Sequence, residues 1–139
     1  MIPSDERLLQ PLLETRTIAM VGASVRETRD SFRVGQYLVA AGYTVIPVNP
    51  TYAGAPLFGT TVRETLAEID TPVEMLNVFR RSEFVPDTVD AALTALSGLK
   101  SVWMQLGVTS PVARTKAEGH GLTVIEDRCV KIEHARLLA

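Results

Sequence analysis

Five short apolar runs, each followed by a polar or amphipathic stretch, constrain this chain more than any other feature. They lie at residues 17–21 (TIAMV), 43–48 (YTVIPV), 73–79, 101–106 and 122–126. Runs this short and this continuously apolar read as strands buried on both faces, the pattern of a parallel sheet. The stretches between them read as helices. Ser4 caps a first helix running to about Thr15. A second, over residues 31–41, puts Val34, Leu38 and Ala41 on one face and stops at Gly42. A short helix is expected around residues 63–69. Pro86 suits the first turn of a helix reaching about Ser97. Residues 111–118 form a further helix, and the tail from about Cys129 is helical.

Alternation of this kind builds βαβ units, so the expected fold is α/β: a Rossmann-like, doubly wound, parallel five-stranded sheet in a single three-layer domain over residues 1–139. A length of 139 residues fits one domain, and no repeat or linker interrupts it. The expected strand order is 3-2-1-4-5. Ligands of such sheets bind outside the carboxyl ends of the strands where the order reverses, here between the first and fourth strands.

Composition narrows the function. A net charge of -2 gives no sign of a nucleic-acid or membrane partner, and no apolar stretch is long enough to span a bilayer. Residues 1–11 carry acidic side chains and no apolar run, so they do not read as a signal peptide. The one cysteine, Cys129, excludes an intramolecular disulfide and points to a reducing, cytoplasmic setting. Of the basic residues 11 are Arg and 3 are Lys, a bias toward the side chain that grips phosphate with two donors.

Six of those arginines, Arg26, Arg29, Arg33, Arg80, Arg81 and Arg128, fall in or just past the loops that follow the strands. The first loop begins Gly22-Ala23-Ser24, where glycine turns the chain off the strand and a helix start follows, an arrangement suited to anions. Arg33 in the first turn of that helix opposes the dipole and calls for a nearby negative group, either a phosphate or Asp30 or Glu27. The second strand ends in Val48-Asn49-Pro50, with no acidic residue for a ribose diol, and the first loop lacks G-x-G-x-x-G. Both absences count against ordinary NAD binding. Asn49-Pro50 also reads simply as a turn.

Several motifs together resemble a known family. They are Gly22-Ala23-Ser24 with Arg29, Ser31 and Val34; VIPVNP at 45–50; VFRR at 78–81; WMQLGV at 103–108; and DRC-x-K-x-EH at 127–134. This set, covering nearly the whole chain, resembles the small stand-alone coenzyme A-binding proteins. These are similar to the coenzyme A-binding domain of the succinyl-coenzyme A synthetase alpha chain and of ADP-forming acyl-coenzyme A synthetases. Glu27 departs from the proline frequent in that family.

The resemblance implies coenzyme A as the ligand. Gly22, Ala23 and Ser24 would contact the pyrophosphate, helped by Arg29, Ser31 and Arg33. Val48, Asn49 and Pro50, with Tyr52 close by, would line the adenine and ribose site. Phe79, Arg80 and Arg81 would border the nucleotide, and Gln105 and Gly107 would face the pantetheine arm.

A catalytic centre is not evident from the sequence. His120 sits in a Gly-His-Gly turn and reads as exposed. His134 reads as a capping or packing residue, because the histidine phosphorylated in the related synthetases lies in a further domain. Cys129 follows Arg128, a setting that can lower a thiol pKa, but a buried inert cysteine is the commoner case. Trp103 reads as core, and no metal-ligand spacing stands out. The expected function is non-catalytic binding of coenzyme A or an acyl derivative. Two alternatives stay open: a nucleotide-binding subunit of a separate ligase or transferase, and an NADP-dependent oxidoreductase using the arginines for a 2′-phosphate.

Overall fold

In the computed structural model, residues 3–139 are described. The chain runs α1 (Asp5–Glu14), β1 (Thr17–Val21), α2 (Asp30–Ala40), β2 (Thr44–Val48), β3 (Pro56–Leu57), β4 (Thr60–Thr61), β5 (Met75–Val78), α3 (Val85–Ala95), β6 (Ser101–Met104), α4 (Pro111–Gly119), β7 (Thr123–Ile125) and α5 (Val130–Leu137). Each apolar run of the sequence holds one strand of a parallel five-stranded sheet.

The order of that sheet is β2-β1-β5-β6-β7. In strands counted along the main sheet this is 2-1-3-4-5, which corrects the expected 3-2-1-4-5. The strand after β2 crosses back to pair with β1 on its free side, in the register Ile18 with Met75 through Val21 with Val78. The reversal therefore lies between β1 and β5, and the loops that meet there follow β1, β2 and β5.

Two apolar layers explain why the central strands are buried on both faces. On one side Leu8 and Leu12 of α1, Val34 and Leu38 of α2 and Val130 of α5 pack with Ile18, Met20 and Trp103. On the other, Val85, Val89 and Ala92 of α3 and Ala113 and Ala117 of α4 pack with Ala19, Leu76, Val78 and Val102. Trp103 is fully buried, and its indole N–H donates to the Arg128 carbonyl at 2.9 Å. Helix starts follow local chemistry: the Ser4 side chain accepts from Arg7 N–H, and the Ser110 side chain accepts from Ala113 N–H.

The segment between β2 and β5 differs from the expectation. No α-helix spans 63–69; only a 3₁₀ turn at Leu66–Glu68 forms there. The β3–β4 hairpin precedes it, with Phe58 and Gly59 both at positive φ in its two-residue turn. Arg63 then lies along the outer edge of β2, donating to the Pro47 carbonyl and accepting from Asn49 N–H, each at 2.9 Å. This covers an edge strand whose Pro47 lacks a donor of its own.

Candidate functional site

The reversal point carries a groove with two lobes. The larger, about 540 Å³, runs between the end of β2 and the start of α3; the smaller, about 400 Å³, runs toward the start of α2. Gly22, Asn49, Thr51 and Phe79 border both. Both volumes fall within the ordinary range for ligand pockets.

Gly22 makes this groove possible. Its φ is +85°, and a Cβ there would lie 2.3 Å from the Phe79 carbonyl oxygen. The loop after β1 thus passes directly over the end of β5, and only glycine permits it. Gly22 N–H donates to the Val48 carbonyl, and Phe79 N–H donates to the Val21 carbonyl, each at 2.9 Å. Asn49 ties the second strand's loop to the first: its side-chain N–H donates to the Ala23 carbonyl at 2.9 Å, while its side-chain oxygen accepts from Thr51 N–H at 3.0 Å. Asn49 is therefore more than a turn residue.

In the smaller lobe the buried Ser31 hydroxyl accepts from Ser24 N–H at 3.1 Å, and the Ser24 hydroxyl accepts from Arg26 N–H at 3.1 Å. The amides of Gly22 and Ser24 are thus already engaged within the protein. The donors left for an anion are those of the first turn of α2, since its N-cap residue, Arg29, supplies no side-chain cap. Arg29 lines this lobe and has no carboxylate within 4.0 Å among the described residues.

The structure departs from the expectation for Arg33. Its guanidinium pairs with Asp30 at 2.7 Å and donates to the Thr28 carbonyl, and it does not line the groove. The pair offsets the Asp30 charge at the start of α2, which keeps that helix end favourable to an anion.

In the larger lobe Val48, Asn49, Pro50, Phe79, Arg80 and Arg81 come together. Arg80 stacks on Phe84, 4.5 Å from guanidinium carbon to ring centre, and donates to the Thr88 hydroxyl at 3.3 Å. Arg81 is 83% exposed and lies 3.8 Å from Glu83. Tyr52 borders the smaller lobe rather than this one.

A third, smaller hollow adjoins through Asp30, Phe79 and Arg80, and Gln105, Leu106 and Val108 line it. Gln105 is 6% exposed, and its side-chain oxygen has no hydrogen-bond partner among the described residues. Gly107 stays outside these hollows, its N–H donating to Asp127 at 2.7 Å and its carbonyl accepting from Ser82. Ala23 is wholly buried and reaches the groove only through the loop it belongs to.

The sequence reading missed Leu66, Glu64 and Thr65, which return from the hairpin to wall the larger lobe, and Phe84 and Thr88. The last two had a signal: they stand one helical turn apart, directly after the Arg80-Arg81 pair.

The remaining candidates lie elsewhere. Arg26 is exposed beside the groove without lining it, and Arg128 lines a separate cavity with Arg7, Arg114 and Glu126. Cys129 is buried. His120 is exposed, its ring nitrogen against the Lys116 carbonyl. His134 pairs with the Tyr37 hydroxyl at 2.9 Å and packs edge-on against Tyr37 and Tyr43, near the amino end of β2; burial lowers its pKa.

Comparison with known proteins places this groove in context. A family described as a CoA binding domain matches residues 16–135, a span holding the whole groove. The chain belongs to this family. The Bacillus subtilis protein YneT is 38% identical over 133 residues, covering 96% of each chain. A solved Thermus thermophilus protein superposes with a TM-score of 0.90 at 34% identity, over 98% of this chain and 100% of that one. A protein of Pyrococcus horikoshii OT3 does so with a TM-score of 0.90 at 33% identity, over 99% and 94%. Both superpositions span the full α/β sheet, so the 2-1-3-4-5 order belongs to this family's fold.

Proposed function

We propose that this protein binds coenzyme A, free or acylated, as a module without catalysis of its own. The observation that carries the reading is the continuous groove across the ends of β1, β2 and β5. Its lobes differ in the way that the parts of coenzyme A differ. The smaller offers an uncapped helix start and the unpaired Arg29 to a pyrophosphate. The larger offers Val48, Pro50 and Leu66 to the face of a base. The adjoining hollow offers the buried Gln105 oxygen, an acceptor suited to an amide N–H of the pantetheine arm.

These residues fit the ligand without arranging chemistry upon it. A thioester-cleaving site needs a nucleophile or a base held at the reacting carbon. Cys129 is buried at the start of α5, and His134 is engaged with Tyr37. The test follows free thiol release from acetyl- and longer acyl-coenzyme A in the wild type, Cys129→Ala and His134→Ala. Binding without turnover above background is expected. Turnover that vanishes in either variant identifies an enzyme and overturns the reading.

A further inference from the structure

We propose that the larger lobe reads a second anion, distinct from the one at the start of α2, with Arg80 as its cation. The ligand class is then a nucleotide carrying a phosphate on its ribose besides its pyrophosphate, so the protein separates coenzyme A from dephospho-coenzyme A. This rests on the coenzyme A reading and adds the group that decides specificity.

Arg80 is held entirely by neutral partners. The Phe84 ring fixes the plane of its guanidinium at 4.5 Å, and the Thr88 hydroxyl takes one of its donors. That hydroxyl in turn donates to the Phe84 carbonyl at 2.8 Å, which fixes it as an acceptor toward Arg80. No carboxylate lies within 4.0 Å of Arg80 among the described residues, whereas Arg7, Arg33, Arg114 and Arg136 each have one within 3.3 Å. A stacked guanidinium with most of its five donors free is preorganised for a phosphate and loses little freedom on binding it.

The placement argues for two anions rather than one. Arg29 borders the smaller lobe and not the larger; Arg80 borders the larger and not the smaller. Between them lie Gly22, Asn49 and Phe79, which offer no charge. A ligand with one contiguous phosphate group occupies only one of these poles. The carboxylates in the larger lobe, Glu64 and Asp87, are acceptors that match nucleoside hydroxyl and amine donors, and Arg80 with Arg81 balances their charge.

The test measures affinity for coenzyme A and dephospho-coenzyme A by calorimetry in the wild type, Arg80→Gln, Arg80→Lys and Arg29→Ala, with each fold checked by thermal melting. The wild type should prefer coenzyme A by about tenfold or more, the scale of a charge-assisted hydrogen bond. Arg80→Gln should abolish that preference while leaving dephospho-coenzyme A affinity unchanged. Arg80→Lys should keep part of the preference, and Arg29→Ala should weaken both ligands alike. Equal wild-type affinities overturn the proposal, as does a loss in Arg80→Gln that is the same for both ligands, or an unchanged ratio. A second pair, adenosine 3′,5′-bisphosphate and adenosine 5′-monophosphate, separates this proposal from the reading beneath it. Preference for the bisphosphate without binding of coenzyme A refutes the coenzyme A reading and keeps the second anion site; no preference in either pair refutes this one.

Discussion

Replacing Gly22 with alanine probes the contact on which the groove is built. The new Cβ would stand 2.3 Å from the Phe79 carbonyl oxygen, 2.8 Å from its carbon and 3.3 Å from Arg80 Cγ. The first two are backbone atoms at the end of β5, so no side-chain rotation relieves them. The positive φ alone costs an alanine about 1 kcal/mol, and the forced shift of packed backbone adds about 1–3 kcal/mol. Gly121 provides the control, because its φ is +81° and nothing lies within 4 Å of its Cβ position. At about 2.1 cal/mol/K per residue, 139 residues unfold with an entropy of about 0.3 kcal/mol/K. Gly22→Ala should therefore lower Tm by about 7–13 °C and Gly121→Ala by about 3 °C, read from thermal melts and checked by urea denaturation. Equal losses in the two variants would refute the close approach of the loop to β5.

Two further predictions follow from single side chains. Arg29→Ala should weaken coenzyme A binding by about 1–3 kcal/mol in calorimetry with little change in Tm; Arg33→Ala should weaken it less, because Arg33 is spent on Asp30. Burial lowers the His134 pKa below its ordinary value of 6.5. Between the folded and unfolded values the unfolded chain holds more protons, so stability falls as pH drops below about 6.5 and this group contributes no slope above it. Urea midpoints from pH 5 to 7.5 should show that fall in the wild type and a shallower one in His134→Gln.

The elements were legible in the sequence because period and run length report burial directly: residues 17–21 and 101–104 are apolar throughout and lie in strands flanked on both sides. Strand order was not legible, since periodicity fixes what each segment is and not which neighbour it meets. The stretch 63–69 misled because its apolar spacing, Val62, Leu66 and Ile69, fits a helix, while these side chains are buried from a 3₁₀ turn and its flanks. The hairpin before it was hidden by Phe58, an unusual residue for a positive φ, which packs its ring over Gly35 of α2. Within the site, the loops were found and the charges only partly. Arg29, Arg80 and Arg81 reach the groove, whereas Arg33 is drawn into a local pair three residues away, a choice decided by rotamer and distance.

Ligand-induced thermal stabilisation tests the central claim most directly, with coenzyme A, NAD and NADP compared at equal concentration. A ligand at about 100 times its Kd adds about 2.7 kcal/mol to the folded state, which for a chain of this size is a rise of about 9 °C. Coenzyme A should give the largest rise of the three; an equal or greater rise with NAD or NADP would contradict the account.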